Sequence, residues 1–189
     1  MRLFIAADLG EATRHVFDEA ASQLRKALSE ERTAPRLVWV PPHAAHVTLR
    51  FIGEVGDATL PAIEAALGSA ISQQPFDVTW QPLGTFPSGR RPRVVWMGAL
   101  EGREALIALA ARVDEQLDGV IAGREGRAFA PPVTIARVRD AAHGIDWSRV
   151  VAGVCPRATV THVDHVTLYQ SHLGPKGSTY TVLLRIPLQ

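Results

Sequence analysis

Cysteine is nearly missing from this chain: Cys155 stands alone among 189 residues. One thiol excludes an intrachain disulfide and a cysteine-built zinc site, and it fits a reducing compartment. Long apolar runs are absent too. The stretch Leu3-Phe4-Ile5-Ala6-Ala7 ends at the carboxylate of Asp8, too short for a signal-peptide core. Nothing later approaches the ~20 apolar residues of a membrane span, so the expectation is a cytoplasmic protein without membrane attachment. Excess charge of either sign is also missing, because twenty Lys and Arg face nineteen Asp and Glu for a formal charge of +1. That balance argues against salt-driven coating of nucleic acid or anionic membrane, and it leaves room for a few groups that recognise one phosphate.

Lysine is scarce, with Lys26 and Lys176 the only two, so eighteen of the twenty basic residues are arginine. Planar arginine forks suit phosphate recognition, but coding bias in a GC-rich genome gives the same composition. With 47% hydrophobic and 21% charged residues, the chain has the balance of a soluble globular protein able to bury a real core.

Strands and helices alternate without a linker long enough to separate independent domains. Leu3–Ala7 reads as a buried strand, and 11–29 as a helix with Val16, Ala20, Leu24, Ala27 and Leu28 along one face. Leu37–Val40 and Val47–Ile52 read as strands that Pro41-Pro42 keeps from forming one ladder. Two further helices are predicted from stripes at helical spacing: Leu60, Ile63, Leu67 and Ile71, with Asp57 as N-cap, and Leu106, Leu109, Val113 and Leu117. Strands are expected at 76–83, 93–99, 133–138, 158–169 and 179–187, with 139–148 as an exposed connection. No Gly-x-Gly-x-x-Gly or Walker-type loop follows a strand, which counts against nucleotide-binding parallel sheets. The order predicts an α+β fold, a rough duplication into two small sheets with outer helices and a cleft between.

His46-Val47-Thr48-Leu49 recurs letter for letter as His165-Val166-Thr167-Leu168, and Pro132-Val133-Thr134-Ile135 has the same shape without histidine. On a strand, residues i and i+2 share a face, so each His-x-Thr sends an imidazole and a hydroxyl to one side. Two such strands facing each other would serve metal-free hydrolysis of a phosphate ester. One imidazole takes a proton from water, the other gives one to the leaving oxygen, and the hydroxyls hold the phosphoryl oxygens. Taken singly, a His-x-Thr is common in ordinary strands. No His-x-x-x-His or acidic triad stands at ligand spacing, so no metal or other cofactor is expected. Phe51, five residues beyond His46, is expected to point away from the His46–Thr48 face into the core. Phe86 with Arg90, Arg91 and Arg93 forms a loop with the stacking and arginine contacts that suit a single-stranded nucleic acid, or else a solvated turn.

Across nearly its whole length the sequence resembles the 2H phosphoesterase superfamily, and within it the RNA 2′,3′-cyclic phosphodiesterases historically named 2′–5′ RNA ligases. The resemblance rests on Arg2-Leu3-Phe4-Ile5-Ala6-Ala7-Asp8-Leu9, Trp39-Val40 and His46-Val47-Thr48-Leu49-Arg50-Phe51-Ile52-Gly53-Glu54. It continues through Gly84-Thr85-Phe86-Pro87, Arg93-Val94-Val95-Trp96, Phe129-Ala130-Pro131-Pro132-Val133-Thr134-Ile135-Ala136-Arg137 and Leu168-Tyr169-Gln170-Ser171 with Gly177 and Tyr180. It implies one bilobed domain over 1–189, with two pseudo-symmetric antiparallel sheets around a central cleft. It implies His46 as catalytic acid, Thr48 and Thr134 as phosphate binders and Arg137 as a further phosphate contact. The activity implied is metal-independent opening of RNA 2′,3′-cyclic phosphate ends to 2′-phosphomonoesters, with 2′–5′ ligation in some members. RNA ends or cyclic nucleotides are then the substrates, and the chain acts as a monomer.

One departure bears on the chemistry. The family's second motif reads Pro-His-x-Thr, and its histidine position is here Pro132. Loss of an acid–base partner removes about 10²–10⁴ in rate. His165 could compensate if its strand lies beside the second-motif strand; otherwise it is a strand residue on a solvated face. The two expectations are therefore an active cyclic phosphodiesterase, with His165 or a water positioned by Thr134 and Arg137 as substitute base, and a catalytically impaired protein that binds phosphate or RNA ends. His43 is read near the cleft mouth, and His172 with Lys176 in a late loop within reach of a terminal phosphate or base.

Overall fold

The computed structural model describes residues 1–121, 132–174 and 177–189. Most of the 119–128 loop, Phe129-Ala130-Pro131 and Lys176 lie outside the described residues. The first half of the chain runs β1 (Arg2–Asp8), α1 (Glu11–Ser29), β2 (Arg36–Trp39), β3 (His46–Glu54), α2 (Leu60–Leu67), β4 (Phe76–Phe86) and β5 (Val94–Glu101). The second runs α3 (Arg103–Gln116), β6 (Val133–Asp140), α4 (Trp147–Ala152), β7 (Thr159–Val163), β8 (His165–Gly174) and β9 (Gly177–Pro187). The fold is α+β, with two antiparallel sheets ordered β3-β1-β8-β9 and β2-β6-β5-β4-β7.

Helices cover the sheets, and each sheet takes strands from both halves of the chain. α1 and α4 pack on the five-stranded sheet through β7 and β4, whereas α3 packs on β3 with α2 beside it. The apolar stripe of α1 explains its burial: Val16, Phe17, Ala20, Ala21, Leu24 and Leu28 are all in the core. A buried hydroxyl chain locks this helix to the sheet. Thr161 Oγ1 donates to Thr13 at 2.9 Å, and Trp80 Nε1 donates to Thr161 at 3.1 Å. No described helix is long and apolar enough to cross a membrane.

Three differences from the sequence reading have identifiable physical causes. The second predicted helix stops at Leu67, because Gly68 adopts a positive φ of 62°. Ile71 then bridges to Leu188 as β structure, and Asp57 caps nothing, since the α2 N-terminus has no side-chain cap. The expected strand 158–169 is two strands in different sheets. Thr159, Thr161 and Val163 alternate inward under α1, and the alternation breaks at exposed Asp164 before Val166, Thr167 and Leu168 are buried together. The expected exposed connection 139–148 leads into α4. Asp146 Oδ1 caps it by accepting the Arg149 N–H at 3.0 Å, and Trp147 is 1% exposed.

Pro41-Pro42 acts as anticipated. A 3₁₀ turn at Pro42–Ala44 carries the chain from β2 in one sheet to β3 in the other. That hop brings the start of β3 against β6, across the gap between the sheets.

Candidate active site

β3 and β6 share a local irregularity that sets the site. In β3, Ala6 pairs with Thr48 but Ile5 pairs with Arg50, so Leu49 is an extra residue. In β6, Trp96 pairs with Thr134 but Val95 with Ala136, so Ile135 is extra. Both are β-bulges, and each reverses the inward–outward alternation beyond it. The burial patterns match residue by residue: Val47 and Val133 are buried, Thr48 and Thr134 partly exposed, Leu49-Arg50 and Ile135-Ala136 buried, Phe51 and Arg137 exposed.

This overturns the expected burial of Phe51. The bulge sends Arg50 toward α3, where its guanidinium is 5% exposed and lies 3.3 Å from Asp114. Phe51 turns to the cleft instead, 38% exposed, with the Arg2 guanidinium 5.2 Å over its ring. Strict period-2 counting, which assumed a regular strand, could not show the exchange.

One cavity of about 130 Å³ lies between the sheets and gathers His46, Thr48 and Phe51 from the β3 side with Pro132, Thr134 and Arg137 from the β6 side. Arg2, Phe4, Ser171 and Tyr180 complete much of its wall. The His46 ring is fixed from several directions. Its Nδ1 lies 2.8 Å from the Ala44 carbonyl oxygen, a pure acceptor, so Nδ1 carries the proton and donates. Nε2 of the neutral ring then holds the lone pair, 3.1 Å from the Thr48 hydroxyl, which donates to it. Phe4 stacks on the imidazole at 4.8 Å and Tyr180 meets it edge-on at 5.2 Å.

Burial lowers the His46 pKa from its ordinary value, opposed by the hydrogen bond to Ala44 and by Asp8 and reinforced by Arg137. Asp8 faces His46 across the β1–β3 ladder. Its carboxylate accepts from Thr167 at 2.8 Å and from Tyr169 at 2.6 Å. Burial, and then the Asp8 carboxylate, push the Tyr169 phenol far up, so it stays a donor. Asp8 and Tyr169 lie in segments that carry the family resemblance, but the sequence assigned neither a role in the site. The available signal was the period-2 face shared by Phe4 and Asp8 with their partners Tyr169 and His46.

His165 does not stand where compensation required. Its strand β8 pairs with β1 and β9 in the four-stranded sheet, not with β6. β1 separates it from β3, so it lies about two strand spacings, roughly 10 Å, from the His46 strand. Its Nδ1 is engaged by Asp164 at 2.5 Å and its Nε2 lies 3.4 Å from Asp8, and it is not among the described residues lining the cavity. The remaining histidines stand apart from the cavity. His43 borders a neighbouring hollow on the far side of His46, His172 bonds Thr181 at 3.1 Å, and His162 bonds Asp77 at 2.7 Å.

Comparison with known proteins agrees with this architecture. The profile of the 2′-5′ RNA ligase superfamily matches residues 14–175. The RNA 2′,3′-cyclic phosphodiesterase of Aquifex aeolicus is 33% identical over 191 residues, covering 95% of each chain. That of Archaeoglobus fulgidus is 35% identical over 139 residues, 74% of this chain and 73% of the relative. The crystal structure of E. coli LigT complexed with 3′-AMP superposes with a TM-score of 0.75 at 28% identity, covering 99% of this chain and 97% of that one. The chain belongs to the 2′-5′ RNA ligase superfamily, the 2H phosphoesterases.

Proposed function

We propose that this protein hydrolyses RNA 2′,3′-cyclic phosphate ends to 2′-phosphomonoesters, with His46 as its single acid–base imidazole. The observation that carries the reading is one cavity lined by a neutral, anchored His46 and by Thr48, Thr134 and Arg137 from two opposed strands. Relatives named for this activity support it. Thr48, Thr134 and Arg137 hold the non-bridging phosphoryl oxygens, the arginine as a charged fork. Water attacks phosphorus and loses its proton to His46 Nε2. The bond from phosphorus to the 3′-oxygen breaks, and that oxygen takes a proton from solvent to leave a 3′-hydroxyl and a 2′-phosphate. The acid role implied by the family resemblance needs a protonated ring, whereas burial favours the neutral one, and the Nδ1 anchor leaves Nε2 as the nitrogen free to accept a proton. His46 is therefore assigned as base.

Pro132 favours a second reading. It lines the cavity at the position that mirrors His46 and carries no exchangeable proton. A protein that holds cyclic or open phosphate ends through Thr48, Thr134 and Arg137, with little turnover, fits that substitution. Hydrolysis of a short RNA ending in a 2′,3′-cyclic phosphate, measured in EDTA for wild type and His46→Ala, separates the two. A 2′-phosphate product that falls at least about 10²-fold in the variant supports the enzyme. Folded wild type that binds the end but turns over no faster than the variant supports the binder.

A further inference from the structure

Arg137 lines two hollows at once. Besides the His46 cavity it lines a groove of about 870 Å³ together with Arg91, Arg93, Arg139 and His143. Arg91 and His143 also line the next hollow, of about 670 Å³, joined there by Arg90. A continuous furrow thus leads from the phosphate end of the cavity along β6 and the loop between β4 and β5.

Local structure explains why arginines collect there. Beyond the β6 bulge, Arg137 and Arg139 are two apart on a strand, share a face and are both exposed. Arg93 lies alongside, its carbonyl accepting the Val138 N–H at 2.8 Å. Among the described residues no ion pair or hydrogen bond occupies the side chains of Arg91, Arg93, Arg137 or Arg139. The furrow also carries two carboxylates, each with one oxygen on a backbone N–H: Asp140 accepts from Ala142 at 3.0 Å, and Asp146 caps α4 at 3.0 Å. The result is a row of guanidinium forks open to a ligand, on a chain whose net charge is only +1. The hollow on the other side of His46 has the opposite character: among the described residues its lining holds Asp8 as the only carboxylate and no Arg or Lys.

We propose that this arginine furrow seats the RNA strand on the 5′ side of the terminal nucleotide, its successive phosphates bound by Arg91, Arg93 and Arg139. The proposal rests on the cyclic-phosphate reading of the cavity. A 2′,3′-cyclic phosphate forms only on ribose, so a strand continuous with it is RNA, and its backbone charge directs it toward the arginines and away from Asp8. Guanidinium forks bind phosphate bidentately without reading bases, so the furrow selects for length rather than sequence.

The test compares adenosine 2′,3′-cyclic phosphate with an RNA octamer ending in a 2′,3′-cyclic phosphate, for wild type and the double variant Arg91→Ala/Arg139→Ala. The octamer KM is expected to rise roughly tenfold or more in the variant, while kcat and KM for the mononucleotide stay put. Binding is read separately by fluorescence anisotropy with an octamer ending in a 2′-phosphate, which needs no turnover. There the slope of log affinity against log salt should become shallower by about 0.7 for each phosphate the variant no longer neutralises. Unchanged octamer affinity and salt slope, or an equal loss on octamer and mononucleotide, overturns the furrow. Absence of turnover in wild type with the salt-slope difference intact overturns the hydrolase reading and leaves the furrow standing.

Discussion

Restoring the missing imidazole is the sharpest perturbation of this site. Position 132 mirrors position 46, both two residues before a threonine that precedes a bulge, and Pro132 already lines the cavity opposite His46. Pro132→His should therefore place a second proton-transfer group across the phosphate from the first, without disturbing His46, whose ring is held by Ala44, Phe4 and Tyr180. A positioned acid or base contributes about 10²–10⁴ in rate, which is roughly 3–5 kcal/mol of barrier. Single-turnover hydrolysis of the cyclic-phosphate octamer in EDTA should accelerate by that factor, and a second pKa should enter the pH–rate profile. The gain must depend on His46, so Pro132→His/His46→Ala should fall back by at least as much as His46→Ala does alone. The backbone freedom regained by the unfolded chain on losing proline costs up to about 1 kcal/mol of stability, which thermal unfolding would register without obscuring kinetics. A folded Pro132→His protein that binds the 2′-phosphate octamer normally and hydrolyses the cyclic one no faster than wild type would refute the mirrored geometry.

Two other consequences are accessible to simple measurements. Thr161→Val removes the acceptor of the buried Trp80 indole and the donor to Thr13 while keeping shape. The unsatisfied N–H should cost about 1–3 kcal/mol, a loss of roughly 2–12 °C in Tm for a chain of this size, with Thr161→Ser losing clearly less. Because burial lowers the His46 pKa, the unfolded chain takes up a proton below the ordinary value of about 6.5 that the folded chain resists. Its contribution to stability is therefore complete above pH 6.5 and declines as pH falls from there through the folded-state value. Denaturant unfolding should show His46→Asn losing less stability than wild type between pH 7.5 and 5.5, and the acid limb of kcat/KM should lie below 6.5. Parallel stability curves for the two proteins would contradict the assignment.

Much of the fold follows from local periodicity. The α1 stripe, the Pro41-Pro42 break and the i, i+2 geometry of His46–Thr48 each depend on residues a few positions apart, and the structure has them as read. What was not legible depends on partners far along the chain. Whether 158–169 is one strand or two depends on α1 covering Thr159, Thr161 and Val163 while β1 takes up Thr167 and Leu168. The place of His165 depends on which strand β8 pairs with, and the repeat of His-Val-Thr-Leu carries no information about that. The short helix at Trp147–Ala152 is held by an Asp146 cap and a buried indole more than by propensity, so composition concealed it.

The two bulges tie the sequence spacing to the site. A site built from positions i, i+2 and i+5 matches neither the period of a strand nor that of a helix, so neither periodicity picks out all three residues. An extra residue at Leu49 or Ile135 makes the spacing physical: i and i+2 face the cleft, i+3 and i+4 both turn away, and i+5 returns. Without the bulge, Arg137 would point toward the side on which Val133 and Ile135 are buried, at the cost of desolvating a guanidinium. Phe51 would likewise leave the cleft and expose Arg50 in its place. The same irregularity thus furnishes an aromatic platform on one strand and a cation on the other. That pairing suits a ligand with a phosphate at one end and a base at the other better than it suits phosphate alone. It also places Arg137 where cavity and furrow meet, so under the proposed function the group that holds the reacting phosphate also borders the seat proposed for the strand behind it.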